Sequence, residues 1–443
     1  MKLTSSKYLE SERKLYSLYV MQSRAIPAAT DGLKAAGRRV LWTARNGDKY
    51  KTATLAGATM PIHPHSEASG SINTLAAPYG NNIPLFKGYG AFGTMLDPTA
   101  YGAARYTSVA VSKFTQDVVF ADIEIIPMTW NYDDSIEEPV HFLPLVPTVL
   151  LNPSEGIAVG FATDILPRNL ADLIDVQIAH LMNKRNANQL LPSFTPINST
   201  ARLVDGRAAF FSGSYEMVNT TTIRITNLPY KLSHDKLIAK LDALYETGTV
   251  VDFTDRSKDK INIEVKFKKG VLSKMTEEEV LKTLGLTVKH TENLNVLDFT
   301  GQGVWSAEPL DLIKRFTDWR LQWYVKRYER LRDLLKIDIQ RYLDIRNAIT
   351  NNVGGIAKRV KSRAELKTLL LEMGIVYIDY IADLPVYRFT EEEYEKNEQR
   401  LKDAEALLRT YEDMLQSEDK RKIVYATELK EILNKYNKGT YAH

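Results

Sequence analysis

The chain has 443 residues, of which 44% are apolar and 26% charged, the balance of an ordinary folded protein with room for several domains. It contains no cysteine, which excludes a disulfide scaffold, a thiolate zinc site, an iron–sulfur cluster and a cysteine nucleophile. No apolar run approaches the roughly 18 residues that a membrane-spanning helix needs, and the opening MKLTSSKYLESERK has no apolar segment typical of a secretory signal. We therefore expect a cytoplasmic protein that does not enter a membrane.

The net charge of +3 is unevenly distributed along the chain. Residues 1–60 hold eleven Lys or Arg against four Asp or Glu, whereas Gln116–Pro139 holds seven acidic residues and no basic one. Such a basic opening can attract a polyanion, although a solvated surface of mixed charge is the commoner explanation of the same pattern. The acidic segment is expected to face away from a polyanion, or toward a basic partner.

Residues 1–150 predict several short helices. The stretch Asp31–Ala44 has an apolar stripe at helical spacing, formed by Leu33, Val40, Leu41 and Ala44. Its basic residues would then point outward, and these are Lys34, Arg38 and Arg39. Further helices are predicted over Tyr50–Ala58 and Ser66–Ala77. Short helices that present cations between turns favour a helix-turn-helix or winged-helix arrangement.

Residues 151–305 predict a layered α/β domain. The Thr- and Ile-rich segment Thr221–Thr226 is typical of a strand, and Ser233 can cap a helix that runs to Tyr245. Lys260–Phe267 then alternates between polar and apolar residues, which predicts a second strand. Strand, helix and strand in close succession form two packed layers.

Residues 306–443 predict two long helices with a small globular tip between them. Apolar residues recur at steps of three or four from Tyr324 to Ile349, and Gly354-Gly355 is expected to end this helix. Thr390 with Glu393 predicts a capping box at the start of the second long helix. An antiparallel coiled coil fits this pattern, and an ordinary helical bundle fits it equally well.

Residues that could carry chemistry are few. His63 and His65 are two residues apart, without cysteine or an HExxH motif, so we expect no metal site in this chain. The glycine-rich GYGAFG (Gly88–Gly93) is by itself most simply a tight turn. Close behind it, small residues precede Arg105-Tyr106, where a guanidinium could favour the phenolate of the tyrosine and hold a phosphate.

Five ordered motifs give this Arg-Tyr pair a context. They are RAIPAATDGLKAAGRRVLW (Arg24–Trp42), HPH (His63–His65), GYGAFG, AARYT (Ala103–Thr107) and LLNPSEGIAVGFATDILPRN (Leu150–Asn169). In this order and spacing they resemble the breakage–reunion subunit of type IIA DNA topoisomerases, the gyrase A and topoisomerase IV A family, in its shorter, phage-type form. The family's GQGNFG is GYGAFG here, with Tyr89 in place of glutamine and Ala91 in place of asparagine.

The resemblance implies a multidomain α/β fold. Its parts would be a winged-helix DNA-cleavage domain over residues 1–150, an α/β tower domain over 151–305, and a coiled coil with a helical C-gate tip over 306–443. Tyr106 would be the nucleophile that forms a transient 5′-phosphotyrosine, and Arg105 would stabilise the phosphoryl charge. Arg24 and His65 would act at the cleavage site.

The resemblance also implies a DNA-binding surface. Ile157 would be an apolar wedge that unstacks a base step and bends the duplex; without the family, a core residue would be the better interpretation of this isoleucine. The other residues expected to line the duplex are Lys34, Arg38, Arg39 and His63.

The implied partners are double-stranded DNA, a second copy of the chain, and a large subunit with ATPase and Toprim domains. That subunit would hold both Mg²⁺ and ATP, and this chain would bind neither. The expected reaction is ATP-dependent strand passage, in the form of relaxation and decatenation. A DNA-binding structural protein of the same fold, without enzymatic activity, is the alternative, and a tyrosine recombinase is a more distant one.

Overall fold

The structure is a computed structural model that describes residues 16, 19–64, 68–158, 160–185, 190–204 and 208–442. The chain divides into two compact units, Met1–Arg320 with Ala426–His443, and Leu321–Tyr425. The predicted boundaries near residues 150 and 305 fall within the first unit and stay predictions.

The helices share the chain with many short strands, so the fold is mixed α/β. They are α1 (Ala35–Thr43), α2 (Thr52–Thr59), α3 (Ala68–Ala76), α4 (Thr148–Leu151), α5 (Leu170–Leu181), α6 (His234–Glu246), α7 (Glu277–Leu284), α8 (Pro309–Thr350), α9 (Val353–Ala357), α10 (Arg363–Glu372), α11 (Ile378–Ala382), α12 (Glu391–Gln416) and α13 (Glu418–Asn437). Short π-helical turns form at Met21–Ala25 and Thr115–Val119, and 3₁₀ turns at Ile123–Ile125, Thr195–Ile197, Leu272–Lys274 and Val386–Phe389.

The strands are short and all their ladders are antiparallel. They are β1 (Tyr50–Lys51), β2 (Phe86–Tyr89), β3 (Ser108–Val111), β4 (Met128–Trp130), β5 (Glu137–Pro139), β6 (Ser154–Ala158), β7 (Phe161–Ile165), β8 (Ser193–Phe194), β9 (Ser199–Thr200), β10 (Arg202–Val204), β11 (Ala208–Ser212), β12 (Ser214–Met217), β13 (Thr222–Asn227), β14 (Val250–Asp255), β15 (Ile263–Phe267), β16 (Thr287–Thr291), β17 (Asn295–Leu297) and β18 (Val304–Ser306). Among the described residues, three sheets have more than two strands, in the orders β1-β3-β2, β10-β11-β16 and β12-β13-β15-β14.

The amino-terminal part packs three short helices beside the sheet β1-β3-β2. The apolar stripe predicted around α1 is buried, with Leu33, Val40, Leu41 and Ala44 all at most 6% exposed. The helix predicted from Tyr50 begins two residues later, because Tyr50 and Lys51 pair with β3 as a strand. Of the helix predicted over Ser66–Ala77, the described part is α3.

The middle part contains the predicted strand, helix and strand as β13, α6 and β15. Alternation along β15 buries Ile263, Val265 and Phe267 in one core with the inner face of α6. Ser233 caps α6, since its side chain accepts a hydrogen bond from the backbone of Lys236.

Within the second unit, the carboxyl-terminal half of α8 and the helix α12 lie antiparallel. The amide of Asn397 donates to the carbonyl of Tyr342 at 2.9 Å, and the rings of Tyr328 and Tyr411 have centroids 5.8 Å apart. Residue numbers therefore rise along one helix as they fall along the other. The heptad packing of a coiled coil stays a prediction.

Two helix-end predictions for this region are wrong. The long helix ends at Thr350, before the two glycines, which lie inside the short helix α9 that Asn352 caps. The second long helix does begin directly after Thr390, as predicted, but Thr390 forms no capping box, because its hydroxyl donates to the carbonyl of Tyr387 and Glu393 pairs with Arg388 instead. Local pattern could not foresee these competing partners. No helix among the described residues is both long enough and apolar enough to cross a membrane.

Candidate active site

Tyr106 lies at the solvent-exposed tip of a turn, with 71% of its surface accessible. The turn is closed by hydrogen bonds from the backbone N–H groups of Tyr106 and Thr107 to the carbonyl of Ala103, at 2.8 and 3.3 Å. The chain then enters β3, the central strand of its sheet. An exposed phenol therefore stands on a turn that is held by a rigid element.

The first turn of α2 anchors the segment that carries Tyr106. The N–H of Thr52 donates to the carbonyl of Thr107 at 3.1 Å, and the N–H of Ala53 donates to Ala104 at 3.2 Å. The hydroxyls of Thr52 and Thr107 also lie 2.8 Å apart in a buried contact. These N–H groups have no partner inside the helix, so the turn satisfies them.

The GYGAFG loop is a tight turn, as its glycines predict, and it packs directly beside this segment. Gly90 and Gly93 have φ angles of +102° and +94°, which only glycine adopts easily. The N–H of Gly102 donates to the carbonyl of Ala91 at 2.8 Å. A side chain on Gly102 would meet the methyl group of Thr107 at 3.0 Å. The loop therefore supports Tyr106 by close backbone packing.

Arg105 is exposed beside its neighbour, and its guanidinium carbon lies 4.9 Å from the centre of the Tyr106 ring. The predicted pair is thus brought together with both side chains open to solvent. An anionic group that reached the Tyr106 oxygen would therefore also lie near the guanidinium of Arg105.

A second group of predicted residues surrounds the β6–β7 hairpin. Ile157 is 87% exposed there, which overturns the core interpretation that its residue type favours when taken alone. Gly156 packs closely on the π-helical turn Met21–Ala25. A Cβ added to Gly156 would lie 1.9 Å from the carbonyl oxygen of Ala25. Arg24, exposed, belongs to that turn.

Lys34 joins this second group from the residue before α1. Its ammonium donates to the carbonyl of Glu155 at 2.6 Å. Burial lowers the pKa of Lys34, and the carboxylate of Glu155 only partly opposes that shift. Arg24, Lys34 and Ile157 are therefore grouped around one hairpin.

Arg38 and Arg39 do not point outward, contrary to the prediction. Arg38 forms a bidentate pair with the fully buried Asp31, at 2.7 and 2.9 Å, and Arg39 pairs with Glu138 at 2.5 Å. Burial alone would lower the pKa of Arg38, but the charge and hydrogen bonds of Asp31 outweigh it and raise the pKa. Glu138 belongs to the acidic segment Gln116–Pro139, so one acidic residue of that segment pairs with a basic residue of the same chain, Arg39.

His63 is buried, at 8% exposure, and its Nε2 lies 3.2 Å from the hydroxyl of Tyr19. The Tyr19 ring in turn lies 5.9 Å from the guanidinium carbon of Arg24. His63 thus reaches Arg24 through a tyrosine that sequence reasoning missed and that no local motif marks. His65 lies outside the described residues.

Among the described residues, no group of three or more His, Cys, Asp or Glu could hold a metal ion. The expectation that Mg²⁺ belongs to a partner protein stays a prediction.

Comparison with solved structures identifies the fold. The chain superposes on the DNA-binding, cleavage and re-ligation domain of Plasmodium falciparum topoisomerase II with a TM-score of 0.84, at 23% identity, over 100% of this chain and 66% of that one. The fold is therefore that of a type II topoisomerase cleavage domain.

Comparison with sequences is more specific. The family model for the A subunits of DNA gyrase and topoisomerase IV matches residues 24–430, so the chain belongs to that family and is the DNA-cleavage and religation subunit of a type IIA topoisomerase. It is 29% identical to the DNA topoisomerase medium subunit of Enterobacteria phage T4, over 88% of this chain and 90% of that one. It is 27% identical to the DNA gyrase A protein of Brachyspira hyodysenteriae, over 95% of this chain and 55% of that one. The chain thus spans just over half the length of that gyrase protein.

Proposed function

We propose that Tyr106 is the nucleophile of this chain and forms a transient 5′-phosphotyrosine with each DNA strand. The observation that carries the proposal is that Tyr106 is 71% exposed, on a turn held by backbone hydrogen bonds, with the exposed Arg105 beside it. A nucleophile that attacks a duplex must project from the surface, since a DNA backbone cannot enter a core.

The reaction is a transesterification. The phenolic oxygen of Tyr106 loses its proton and forms a bond to the backbone phosphorus, while the bond from that phosphorus to the 3′ oxygen breaks and a 3′-hydroxyl leaves with a proton. The reverse attack restores the strand, so the energy of the phosphodiester is conserved and religation requires no ATP. Arg105 would stabilise the charge that builds on the phosphoryl oxygens.

Two further residues are proposed to act at the cleavage site. Arg24 is exposed on the turn that packs against β6, and we assign to it contacts with the transition state or the leaving group. We assign His65 to contacts with the transition state or the leaving group as well, and this assignment rests only on the HPH motif (His63–His65).

DNA bending is proposed to use the β6–β7 hairpin. Ile157 would insert between base pairs as an apolar wedge, and Lys34 lies at the base of the same hairpin to meet a phosphate. In this conformation Arg38, Arg39 and His63 are engaged within the protein, so their proposed contribution to DNA binding is to hold α1 and the turn of Arg24 in place.

The proposed assembly is a homodimer joined to a large subunit. The small helical region between α8 and α12 exposes four large apolar side chains, each at least 60% accessible, namely Leu371, Val376, Val386 and Tyr387. Such residues fit an interface with a second copy, in the manner of a C-gate at the end of a coiled coil. Winged-helix and tower domains complete the proposed architecture.

The large subunit would contribute its Toprim and ATPase domains. Mg²⁺ bound there would neutralise phosphate charge at the cleaved bond, and ATP would drive passage of a second duplex. Relaxation and decatenation are the proposed outcomes.

A cleavage assay tests the proposal. The chain is mixed with its Toprim and ATPase partner, plasmid DNA and Mg²⁺, and the mixture is denatured. We expect protein linked to 5′ ends with a four-base stagger, and loss of this linkage in Tyr106→Phe. Tyr245→Phe, which changes another exposed tyrosine, should leave the linkage intact.

DNA binding without any linkage in the unaltered protein would contradict the proposal and favour the non-enzymatic alternative. Linkage to 3′ ends would instead indicate recombinase-like chemistry.

A further inference from the structure

One face of the sheet β1-β3-β2 carries a group of basic residues that the family motifs do not include. Across the sheet, Ser108 on the central strand pairs with Lys51 on one side and with Tyr89 on the other. Directly paired residues place their side chains on the same face. Lys87, two residues before Tyr89, belongs to that face as well.

The side chains on this face gather around Tyr89. The ammonium of Lys49 lies 4.0 Å from the centre of the Tyr89 ring, and that of Lys87 lies 5.8 Å from it. The ring, 37% exposed, attracts both cations through its negative face and so holds two like charges near each other. We call Lys49, Lys51, Lys87 and Tyr89 the Tyr89 surface.

The cations of the Tyr89 surface are available to an external anion. Lys49, Lys51 and Lys87 are all exposed, and within the described residues none of them forms an ion pair with a carboxylate. This distinguishes them from Arg38 and Arg39, whose charges are already neutralised.

The Tyr89 surface adjoins the proposed nucleophile. Ser108, which is flanked by Lys51 and Tyr89, follows Tyr106 by two residues, and the turn between them is held against α2. A DNA strand that presents a phosphate to Tyr106 would extend its neighbouring phosphates over this region.

We propose that the Tyr89 surface binds backbone phosphates of the cleaved duplex beside the phosphate that Tyr106 attacks. The inference rests on the proposed function of Tyr106. Lys49 and Lys87 supply the charge, and the Tyr89 ring orders them before the DNA arrives. Tyr89 stands where the family motif has glutamine, so this arrangement is a feature of the chain itself.

DNA fits this surface better than an acidic protein segment does. Three ammonium groups that lack a carboxylate partner among the described residues match an anion with regularly repeated charges. The surface is also continuous with the site that a DNA phosphate must reach. An acidic protein segment would satisfy the charges, but nothing about Tyr106 would require it to lie there.

The test measures binding of the full chain to a short DNA duplex as a function of salt concentration, in the Tyr106→Phe background so that no covalent linkage forms. The slope of log K against log salt is negative, and each lost phosphate contact reduces its magnitude by about 0.9. We expect Lys49→Gln/Lys87→Gln to reduce the magnitude of that slope by roughly 2 and to weaken binding at every sequence tested.

Three variants make the result specific. Lys49→Arg/Lys87→Arg should retain the slope, because both charges remain. Tyr89→Gln should weaken binding with a smaller change of slope, because the lysines lose the ring that orders them. Lys402→Gln, an exposed lysine on α12, should leave binding unchanged.

An unchanged slope in the double variant, or an equal loss in Lys402→Gln, would overturn the inference. An acidic peptide whose binding requires Lys49 and Lys87, together with DNA binding that keeps its slope without them, would overturn it in favour of a protein partner. The result is separable from the proposed function, since binding is measured without cleavage. If the unaltered protein fails to link to DNA in the cleavage assay, Tyr106 is refuted as nucleophile, whereas a loss of slope in the double variant still establishes the phosphate contact.

Discussion

Asp31 is a fully buried carboxylate that organises the residues before α1. It accepts two hydrogen bonds from Arg38 and one each from the backbone N–H groups of Leu33 and Phe142, at 3.1 and 3.0 Å. A charge in such a place is tolerated only because it is paired and hydrogen-bonded. Asp31 therefore holds the side chain of Arg38 and the backbone before α1 in place.

Asp31→Asn should destabilise the protein strongly. The substitution leaves the guanidinium of Arg38 buried without its counter-charge, a loss that costs about 3–5 kcal/mol in comparable cases. Unfolding in urea should show this as a lower midpoint. Asp235→Asn, which alters a fully exposed carboxylate, should stay within about 0.5 kcal/mol, and an equal effect of the two would show that burial of Asp31 is unimportant.

His141 makes stability depend on pH. The centre of its ring lies 5.3 Å from that of Trp319. Burial lowers the pKa of His141, the charge of Asp31 and the hydrogen bond to the carbonyl of Phe142 oppose that shift in part, and the charge of Arg38 adds to it. The unfolded chain, with a His pKa of about 6.5, then binds more protons than the folded one below neutral pH. Stability is therefore fully present above that value and decreases as the pH falls toward the lowered pKa of the folded state.

Urea midpoints measured from about pH 7 down to about pH 5.5 should fall, and His141→Gln should reduce the fall. His290, whose pKa is also lowered by burial, should account for part of the remainder. A fall of undiminished size in His141→Gln would assign the effect to other groups.

At the scale of elements, the contact between β6 and the turn of Arg24 is the closest backbone packing in the candidate site. Gly156 permits it, since any Cβ there would overlap the carbonyl of Ala25. The β6–β7 hairpin, which carries Ile157, can therefore pack against the turn of Arg24 only because residue 156 has no side chain.

Gly156→Ala should separate these two elements, at a cost of about 1–3 kcal/mol in stability, and should reduce DNA cleavage. Gly57→Ala is the matched control, because Gly57 lies in α2 with no atom within 4 Å of the new methyl group. Alanine there should stabilise the helix by about 0.5–1 kcal/mol. Equal unfolding midpoints for the two variants would refute the packing argument.

At the scale of the whole molecule, the proposed dimer depends on the apolar residues exposed near the end of α10 and in the turn before α12. Leu371→Asp/Tyr387→Asp should convert a species of twice the 50.2 kDa chain mass into one of the single mass, as measured by sedimentation at low concentration. A charge at an apolar interface would have to be desolvated without a partner.

Leu334→Asp provides the comparison, because Leu334 is an exposed leucine on α8 outside that region. It should leave the mass unchanged. A double variant that still sediments at twice the chain mass would place the dimer contact elsewhere.

Sequence pattern was sufficient for the elements whose signal is local. Ser233 as a cap, the alternation along β15 and the helical periodicity of α8 between Tyr324 and Ile349 follow from hydrogen-bonding side chains and periodicity within a few residues. Membership in the gyrase A and topoisomerase IV A family, expected from ordered motifs, is confirmed by the family match. The roles of the individual site residues stay predictions.

The sequence by itself was sufficient for the family, and through that resemblance for the class of chemistry, because each of the five motifs is a short continuous stretch of residues that can be recognised without the fold. Only the tertiary structure decided which cations are exposed and lack a carboxylate partner among the described residues. Helical spacing places Arg39 on a face of α1, but whether that face meets solvent or Glu138, 99 residues away, depends on how distant segments pack. The same packing buries Arg38 and leaves Lys49 and Lys87 exposed, since a charge pairs with whatever the fold brings within a few ångströms of it.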